Sequence, residues 1–332
     1  MTKRMGEFDL IARYFTRPAK RAVLGVGDDC ALLQPAPGMQ LAISSDMLVE
    51  GRHFFPNVNP ETLGHKALAV NLSDLAACGA EPIAFTLALA LPRIDEVWLQ
   101  QFSAGLWALA DLHHCELIGG DTTGGPLNIC VTVFGEVPRG QALLRSGAQV
   151  DDDIYVSGTL GDARLALDAL LNIDGGALSL PPDVLTLARA RLERPTPRVA
   201  LGLALRGIAT SAIDISDGLA GDMAHILKAS GVGATIDTTK AINLIASCTA
   251  ATGVPGIFNV EKQLKYVLAG GDDYELVFTA PPTARRAVEK ISKNSQTPVT
   301  RIGRIDKEPG LRLKDAQGRI TVGKFESFDH FA

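Results

Sequence analysis

At 332 residues the chain is long for a single hydrophobic core, so two domains are the default expectation. Hydrophobic residues at 46% and charged residues at 21% sit in the ordinary globular range. A net charge of −5 leaves no basic footprint for nucleic acid, and no apolar run reaches the length of a membrane span.

In chain order, residues 6–15 read as a short amphipathic helix with Phe8, Ile11, Ala12 and Phe15 on one face. Leu41–Ser45 reads as a strand. Glu61–Cys78 reads as a buried helix in which Leu63, Ala67, Val70 and Ala77 recur near helical spacing. Within it Asn71 and Asp74 share a face and need polar partners. Ile83–Leu91 reads as a strand ended by Pro92, Glu96–His114 as a long helix, and Cys115–Gly119 and Asn128–Val137 as strands. His113 and His114 close the long helix, where a cation complements its dipole. This is not the order of a Rossmann unit. The short spacing of the last two strands favours an antiparallel pair, and the first half takes shape as an α+β sandwich with helices on one face.

Pro138 through the solvated acidic run Asp151-Asp152-Asp153 reads as linker. It divides the chain into an amino-terminal domain, residues 1–140, and a carboxy-terminal α/β domain, residues 149–332. In the latter, strands at Ile154–Ser157, Ser211–Ile215, Ala234–Asp237, Tyr274–Thr279 and Val299–Ile305 alternate with helices such as Gly218–Ser230 and Lys262–Ala269. The cysteines Cys30, Cys78, Cys115, Cys130 and Cys248 are odd in number and widely spaced, which argues against zinc or a disulfide framework. Most lie in apolar context and read as buried free thiols of a reducing compartment. The start, Met1 to Glu7, turns acidic before an apolar core forms, unlike a secretory signal, so the expected location is the cytoplasm.

Chemistry concentrates where apolar runs meet glycine and a carboxylate. Leu117-Ile118-Gly119-Gly120-Asp121-Thr122-Thr123 reads as a strand leaving onto a site floor, with glycines that let backbone approach a ligand. The device recurs in Gly25-Val26-Gly27-Asp28-Asp29 and Gly270-Gly271-Asp272-Asp273. Further acids stand in Ser44-Ser45-Asp46, at Asp74, and in Asp214-Ile215-Ser216-Asp217-Gly218. So many carboxylates cannot share a pocket without counter-cations. Hard divalent cations with oxygen ligands answer that need, and Mg²⁺ usually brings phosphate with it. There is no P-loop, no kinase catalytic loop, no H-E-x-x-H and no nucleophile elbow, and Gly25-Val26-Gly27 lacks the third glycine of a dinucleotide fingerprint. Alone, Arg145-Ser146-Gly147-Ala148 reads as a solvated turn and His53 as a satisfied core histidine. The aromatic-dense Phe325–Phe331 reads as a packed tail or as a wall against a flat ligand.

Taken together, these strings resemble the thiamine-monophosphate kinase family, in the superfamily of aminoimidazole ribonucleotide synthetase and selenophosphate synthetase. The matching segments run through Gly6-Glu7-Phe8, residues 25–31, residues 44–54 and residues 69–77, then Gly119 to Thr123 and Arg145 to Ala148. They continue through Asp214 to Leu219, Gly270 to Leu276 and Phe328 to Phe331, in the family's order and over nearly the whole chain. The resemblance implies ATP-dependent phosphorylation of thiamine monophosphate to thiamine diphosphate with Mg²⁺. It also implies a homodimer whose amino-terminal sheets pair, with the site near the domain junction. Carried over by motif, Asp29, Ser44, Ser45, Asp46, Asp74, Asp121, Asp214 and Asp217 would hold metal. Gly120, Asp121, Arg145 and Ser216 would hold ATP, and His53, Asp272 and Phe328 would face the thiamine end. No side chain is expected to act as a covalent or acid–base catalyst. This chain has Ser45 where Thr is expected, Asp272 where Glu is expected, and Ser327 where Gly is expected. Another ATP-using synthetase of the superfamily, or a non-catalytic nucleotide or metal sensor, are the alternatives. Cys30 follows the acidic pair in an apolar run, rather than standing in the Gly-rich segment a selenophosphate synthetase needs.

Overall fold

The computed structural model describes residues 6–171, 180–246 and 260–322. Its contacts divide the chain into two compact units, Met1–Leu75 with Ala80–Gly140, and Ala76–Gly79 with Gln141–Ala332.

The first unit opens with α1 (Glu7–Leu10), which continues as a π-helical turn over Ile11–Phe15. The wider turn shifts the periodicity. Leu10, Tyr14 and Phe15 are therefore the buried residues, while Phe8, expected on the packed face, is 82% exposed. Strands β1 (Met39–Val49), β2 (Glu81–Leu91), β3 (Glu116–Gly124) and β4 (Asn128–Pro138) form one sheet in the order β1-β4-β2-β3. Helices α2 (Pro60–Cys78) and α3 (Glu96–Leu112) accompany it. Asp95 starts α3 by accepting the amides of Val97 and Trp98, both at 3.1 Å. Leu99, Phe102, Leu106 and Leu109 then recur on its buried side. Along β4, Ile129, Val131 and Val133 are buried while Cys130, Thr132 and Phe134 are half-exposed, the alternation of a sheet covered on one face. The other face leaves Ile43 60% and Met47 53% exposed on β1.

Three expectations need correction here. The last two strands of the unit do not pair: β2 lies between them, parallel to β3 and antiparallel to β4. Gly124-Gly125-Pro126-Leu127 steps over the end of β2, and Gly125 donates to the Leu91 carbonyl at 2.9 Å. Short spacing in sequence is a poor guide when the long apolar register of β2 and β4 is available. Second, Asp46 and Asp121 do not stand at strand exits. Both β1 and β3 run on past them, because their partners β4 and β2 extend as far. Third, burial, with the charges of His65 and His114, lowers the pKa of His113 and so disfavours the cation expected at the α3 terminus.

The second unit is built on a seven-stranded mixed sheet. Its strands are β5 (Asp153–Ser157), β6 (Ser211–Ile215), β7 (Gly233–Asp237), β8 (Glu275–Ala280), β9 (Val299–Asp306), β10 (Gly310–Lys314) and β11 (Ile320–Val322), in the order β11-β10-β7-β9-β5-β8-β6. The helices are α4 (Asp162–Leu171), α5 (Pro182–Glu193), α6 (Val199–Ala204), α7 (Leu219–Ser230), α8 (Thr238–Ala241), α9 (Val260–Ala269) and α10 (Arg285–Asn294). One core joins Ile154, Val156, Ile213, Ile215, Leu219, Met223, Tyr266, Val267, Val277 and Ile302. Strands β5 and β8, inside the sheet, are buried throughout, and so is β6 at its edge.

Of the acidic run Asp151-Asp152-Asp153 only Asp151 is exposed, against the expectation of a solvated run. Asp152 accepts Thr210 Oγ1 at 2.6 Å, and Asp153 takes Arg285 Nε at 2.6 Å and Arg301 at 3.0 Å; both acids are buried. Among the described residues all cysteines are free, but of these only Cys115 is buried, and burial pushes its thiol pKa far up. Cys30 is exposed and Cys78 and Cys130 are half-buried, against the expectation of buried thiols.

The Asp153 cluster sets a pH dependence. Burial alone would raise its pKa, but the hydrogen bonds and charges of Arg285 and Arg301 outweigh that and hold it below the usual value. A depressed folded-state pKa contributes stability above the unfolded-state value and loses it as pH falls through the folded one. Asp153→Asn should therefore melt below the parent at pH 7, and the gap should start to narrow only below roughly pH 4, closing as pH falls through the lowered pKa of Asp153. Thermal melts of both proteins over a descending pH series check this.

Candidate functional site

In the first unit a 630 Å³ cavity is lined by Phe8 and Ile11 of the amino-terminal turn, by Asp28 and Asp29, and by Gly120 and Asp121 of β3. Asp29 and Asp121, predicted together from sequence, thus share one wall set. The Asp28 carboxylate accepts the Asp29 amide at 2.8 Å and fixes that loop. Gly120, at φ +144°, faces Leu87 of β2, and a Cβ there would lie 1.9 Å from the Leu87 carbonyl oxygen. Only glycine lets β3 pair so closely beside Asp121.

Ser44, Asp46 and Asp74 meet on the opposite edge of the sheet. Ser44 Oγ donates to Asp74 at 2.5 Å, and the Asp46 amide, on the open edge of β1, donates to Asn71 Oδ1 at 3.0 Å. Asn71 Nδ2 donates to the Ala67 carbonyl at 3.0 Å. The polar pair that looked misplaced in α2 therefore clamps the edge strand. Ser45 points to the other face of β1, where its hydroxyl meets Thr132 Oγ1 at 2.9 Å. Asp46 and Asp121 stand on the two outer strands, three strand spacings or roughly 14 Å apart. His53 accepts the Val49 amide on Nδ1 at 3.0 Å, which makes Nε2 the nitrogen its tautomer protonates.

In the second unit, Asp214 lies on β6, followed by the turn Ser216-Asp217-Gly218 that enters α7. The Asp272 amide donates to the Ser216 carbonyl at 2.8 Å, and Tyr274 N to that of Ile215 at 2.8 Å. A Cβ on Gly271 would meet the Ser216 oxygen at 2.6 Å. Predicted ATP and substrate contacts, Ser216 and Asp272, are thus stitched side by side. Asp272 and Tyr274 take φ values of +66° and +50°, positions disfavoured for side-chain-bearing residues, and Tyr274 Oη donates to Asp272 Oδ1 at 3.2 Å. Arg145 is exposed, and its guanidinium makes no hydrogen bond or ion pair among the described residues. Phe328 lies outside the described residues.

The acids that hold these turns leave little mark in the amino-acid order. Asp222 accepts the amides of Ser216 and Asp217 at 3.0 and 3.1 Å. Burial, with the charge of Asp217, pushes its pKa up to about 7 against those bonds and Arg145. Asp273, fully buried, accepts the Gly161 amide at 2.9 and 3.0 Å, and its pKa is likewise raised by burial. Glu275, also fully buried, binds Arg191 and Arg198. An Asp in the first turn of a helix after a glycine is the only local signal, and it reads as an ordinary cap.

Among the described residues no three His, Cys, Asp or Glu side chains come together as a ready-made metal cage. The donors are oxygens, met in twos: Asp29 with Asp121, and Ser44 with Asp74. That donor set fits Mg²⁺, which keeps its waters and is held by one or two carboxylates plus substrate phosphates.

The profile for the AIR synthase related protein N-terminal domain matches residues 27–137, and that for the C-terminal domain matches residues 142–316. The chain belongs to the AIR synthase-related family, within which its place is among the thiamine-monophosphate kinases. It is 46% identical to the thiamine-monophosphate kinase of Escherichia coli O157:H7, over 98% of both chains. It matches the crystal structure of that kinase from Stenotrophomonas maltophilia K279a with TM-score 0.80 and 45% identity, over 92% of this chain and 94% of that one. It also matches AaThiL complexed with AMPPCP and TMP, with TM-score 0.75 and 30% identity, over 90% and 89%.

Gly120→Ala should destabilise the protein by about 3 kcal/mol, from steric overlap with Leu87 and an unfavourable φ. A fall of roughly 5–10 °C in Tm is the expected reading, and an unchanged melt would show that β3 can shift away from β2.

Proposed function

We propose that this protein transfers the γ-phosphate of ATP to thiamine monophosphate, giving thiamine diphosphate. What carries the reading is the end-to-end match to thiamine-monophosphate kinases, 46% identical over 98% of both chains. A relative of the same length class, AaThiL, has been seen with AMPPCP and TMP. Nothing favours a different superfamily synthetase or a passive sensor.

In this reading Asp29, Asp121, Ser44, Asp46, Asp74, Asp214 and Asp217 hold Mg²⁺, and Ser45 offers its hydroxyl from the other face of β1. Bound Mg²⁺ supplies charge neutralisation between two anionic phosphates, the chief obstacle to the reaction. Arg145, exposed and with no hydrogen-bond or ion-pair partner among the described residues, presents a guanidinium fork suited to phosphate oxygens. Gly120 and Ser216 bring backbone and hydroxyl donors to ATP. His53 and Asp272, with Phe328, orient the thiamine end. The acceptor is a phosphate oxygen already anionic near neutral pH, so no side chain has to remove a proton. The uncovered Ile43 and Met47 on β1 suit a second copy of the chain, hence a homodimer. The free cysteines suit the cytoplasm, and no described helix is long and apolar enough to cross a membrane.

Incubating the full chain with ATP, Mg²⁺ and thiamine monophosphate should yield ADP and thiamine diphosphate in equal amounts by chromatography. ADP alone would overturn the assignment. Asp46→Asn and Asp121→Asn should fold normally yet lose several orders of magnitude in turnover, since each removes charge stabilisation worth several kcal/mol. Near-parental turnover in both would place the metal elsewhere.

Transfer is direct. Enzyme mixed with γ-labelled ATP alone should retain no covalent label after denaturation, and a chiral γ-phosphate should emerge inverted. Stoichiometric label on His53 or an Asp, with retained configuration, would instead indicate a two-step phosphotransferase.

A further inference from the structure

The turn Ser216-Asp217-Gly218 is gripped from two directions. From one side the Asp272 amide takes the Ser216 carbonyl at 2.8 Å. From the other, Asp222 reaches back out of the first turn of α7, and a single oxygen, Oδ2, accepts the amides of both Ser216 and Asp217. Asp222 is only 4% exposed, so water does not stand ready to replace that oxygen. Asp222 itself does not belong to the residues that would touch ATP or metal in the reading above.

We infer that Asp222 is a positioning residue for the nucleotide-binding turn, its Oδ2 fixing the two peptide planes that aim the Ser216 hydroxyl and the Asp217 carboxylate. The inference rests on the reading that Ser216 and Asp217 hold ATP and its metal. With both amides anchored to one atom, the peptides on either side of Ser216 cannot rotate independently. The two side chains therefore keep one relative direction. Residues that orient ligands in this way typically change affinity by about 10–100-fold when lost. The convergence on one oxygen also makes the role separable from charge. An amide oxygen accepts two N–H donors as a carboxylate oxygen does. Asn at this position keeps the acceptor in place and removes the charge, whereas Glu keeps the charge and moves the acceptor by one methylene.

The test compares Asp222→Asn, Asp222→Glu and Asp222→Ala in the full-length enzyme, with melting curves alongside steady-state kinetics. Asp222→Asn should keep KM for ATP and the Mg²⁺ concentration for half-activation within about threefold of the parent. Glu and Ala should raise both by about tenfold or more, while KM for thiamine monophosphate moves by less than about threefold. An Asn variant as impaired as Ala would show that the charge acts, and would overturn the inference. So would parental behaviour of Glu and Ala, or loss of the fold in both, which would make Asp222 a purely structural residue. Ser216→Ala and Asp217→Ala, measured in the same titrations, separate the two levels. If neither changes KM for ATP or the Mg²⁺ requirement, the reading of the turn fails. If they do and the Asp222 series does not, only the positioning role fails.

Discussion

A carboxylate taken out of water must find donors or cations, and that constraint sorts the acids of this protein. Glu116 is used up on the backbone amides of Lys20, Arg21 and Ala22, at 2.8 to 3.3 Å, and so ties the segment before the first acidic loop to β3. Glu136 accepts the Ala36 amide at 2.8 Å and meets Arg21. Asp153 and Glu275 are each shared between two arginines, and Asp273 is spent on Gly161. These are structural acids. Asp29 and Asp121 differ from them: they are exposed and border open volume instead of closing a network of the chain's own donors.

The first unit carries such groups on its outer strands. An edge strand has one line of backbone donors and acceptors without a ladder partner. On β1 the line is partly closed by Asn71, which lets Ser44 and Asp46 keep a defined direction without a further strand. On β3 the inner side is drawn so close to β2 at Gly120 that the backbone itself becomes part of the cavity wall. A rigid sheet thus presents polar groups at its margins, and its apolar interior holds them in place. The second unit uses another device. Its acids lie in turns at the ends of β6 and before β8, and two left-handed residues, Asp272 and Tyr274, are kept there by backbone bonds to Ile215 and Ser216.

Much of this was legible in the amino-acid order. Periodicity located α2, α3, α7 and the central strands, because their burial is one-sided or complete and leaves a mark on residue type. The strings of glycine and aspartate, and their order along the chain, were enough to suggest a kinase family and a set of ligand-facing residues. Asn71 and Asp74 announced an unmet polar demand inside an apolar helix, although not that β1 would meet it.

Other features depended on partners remote in sequence. Whether β3 and β4 pair was settled by the register that β2 offers, which no spacing rule contains. Ser44 and Ser45 are neighbours with equal hydroxyls, yet pleating sends them to opposite faces. Asp152 and Asp153 looked like a solvated run until Thr210, Arg285 and Arg301 arrived from distant segments. In the amino-acid order Asp222 is unmarked, and Asp273 is simply the last residue of the string Gly270-Gly271-Asp272-Asp273. The sequence by itself determined which residues carry oxygen donors and where glycine permits close backbone approach, since those are properties of the residue. Tertiary structure alone decided which donors were consumed by the fold and which were left facing open volume, because a hydrogen bond is a property of two groups and sequence order places only one of them.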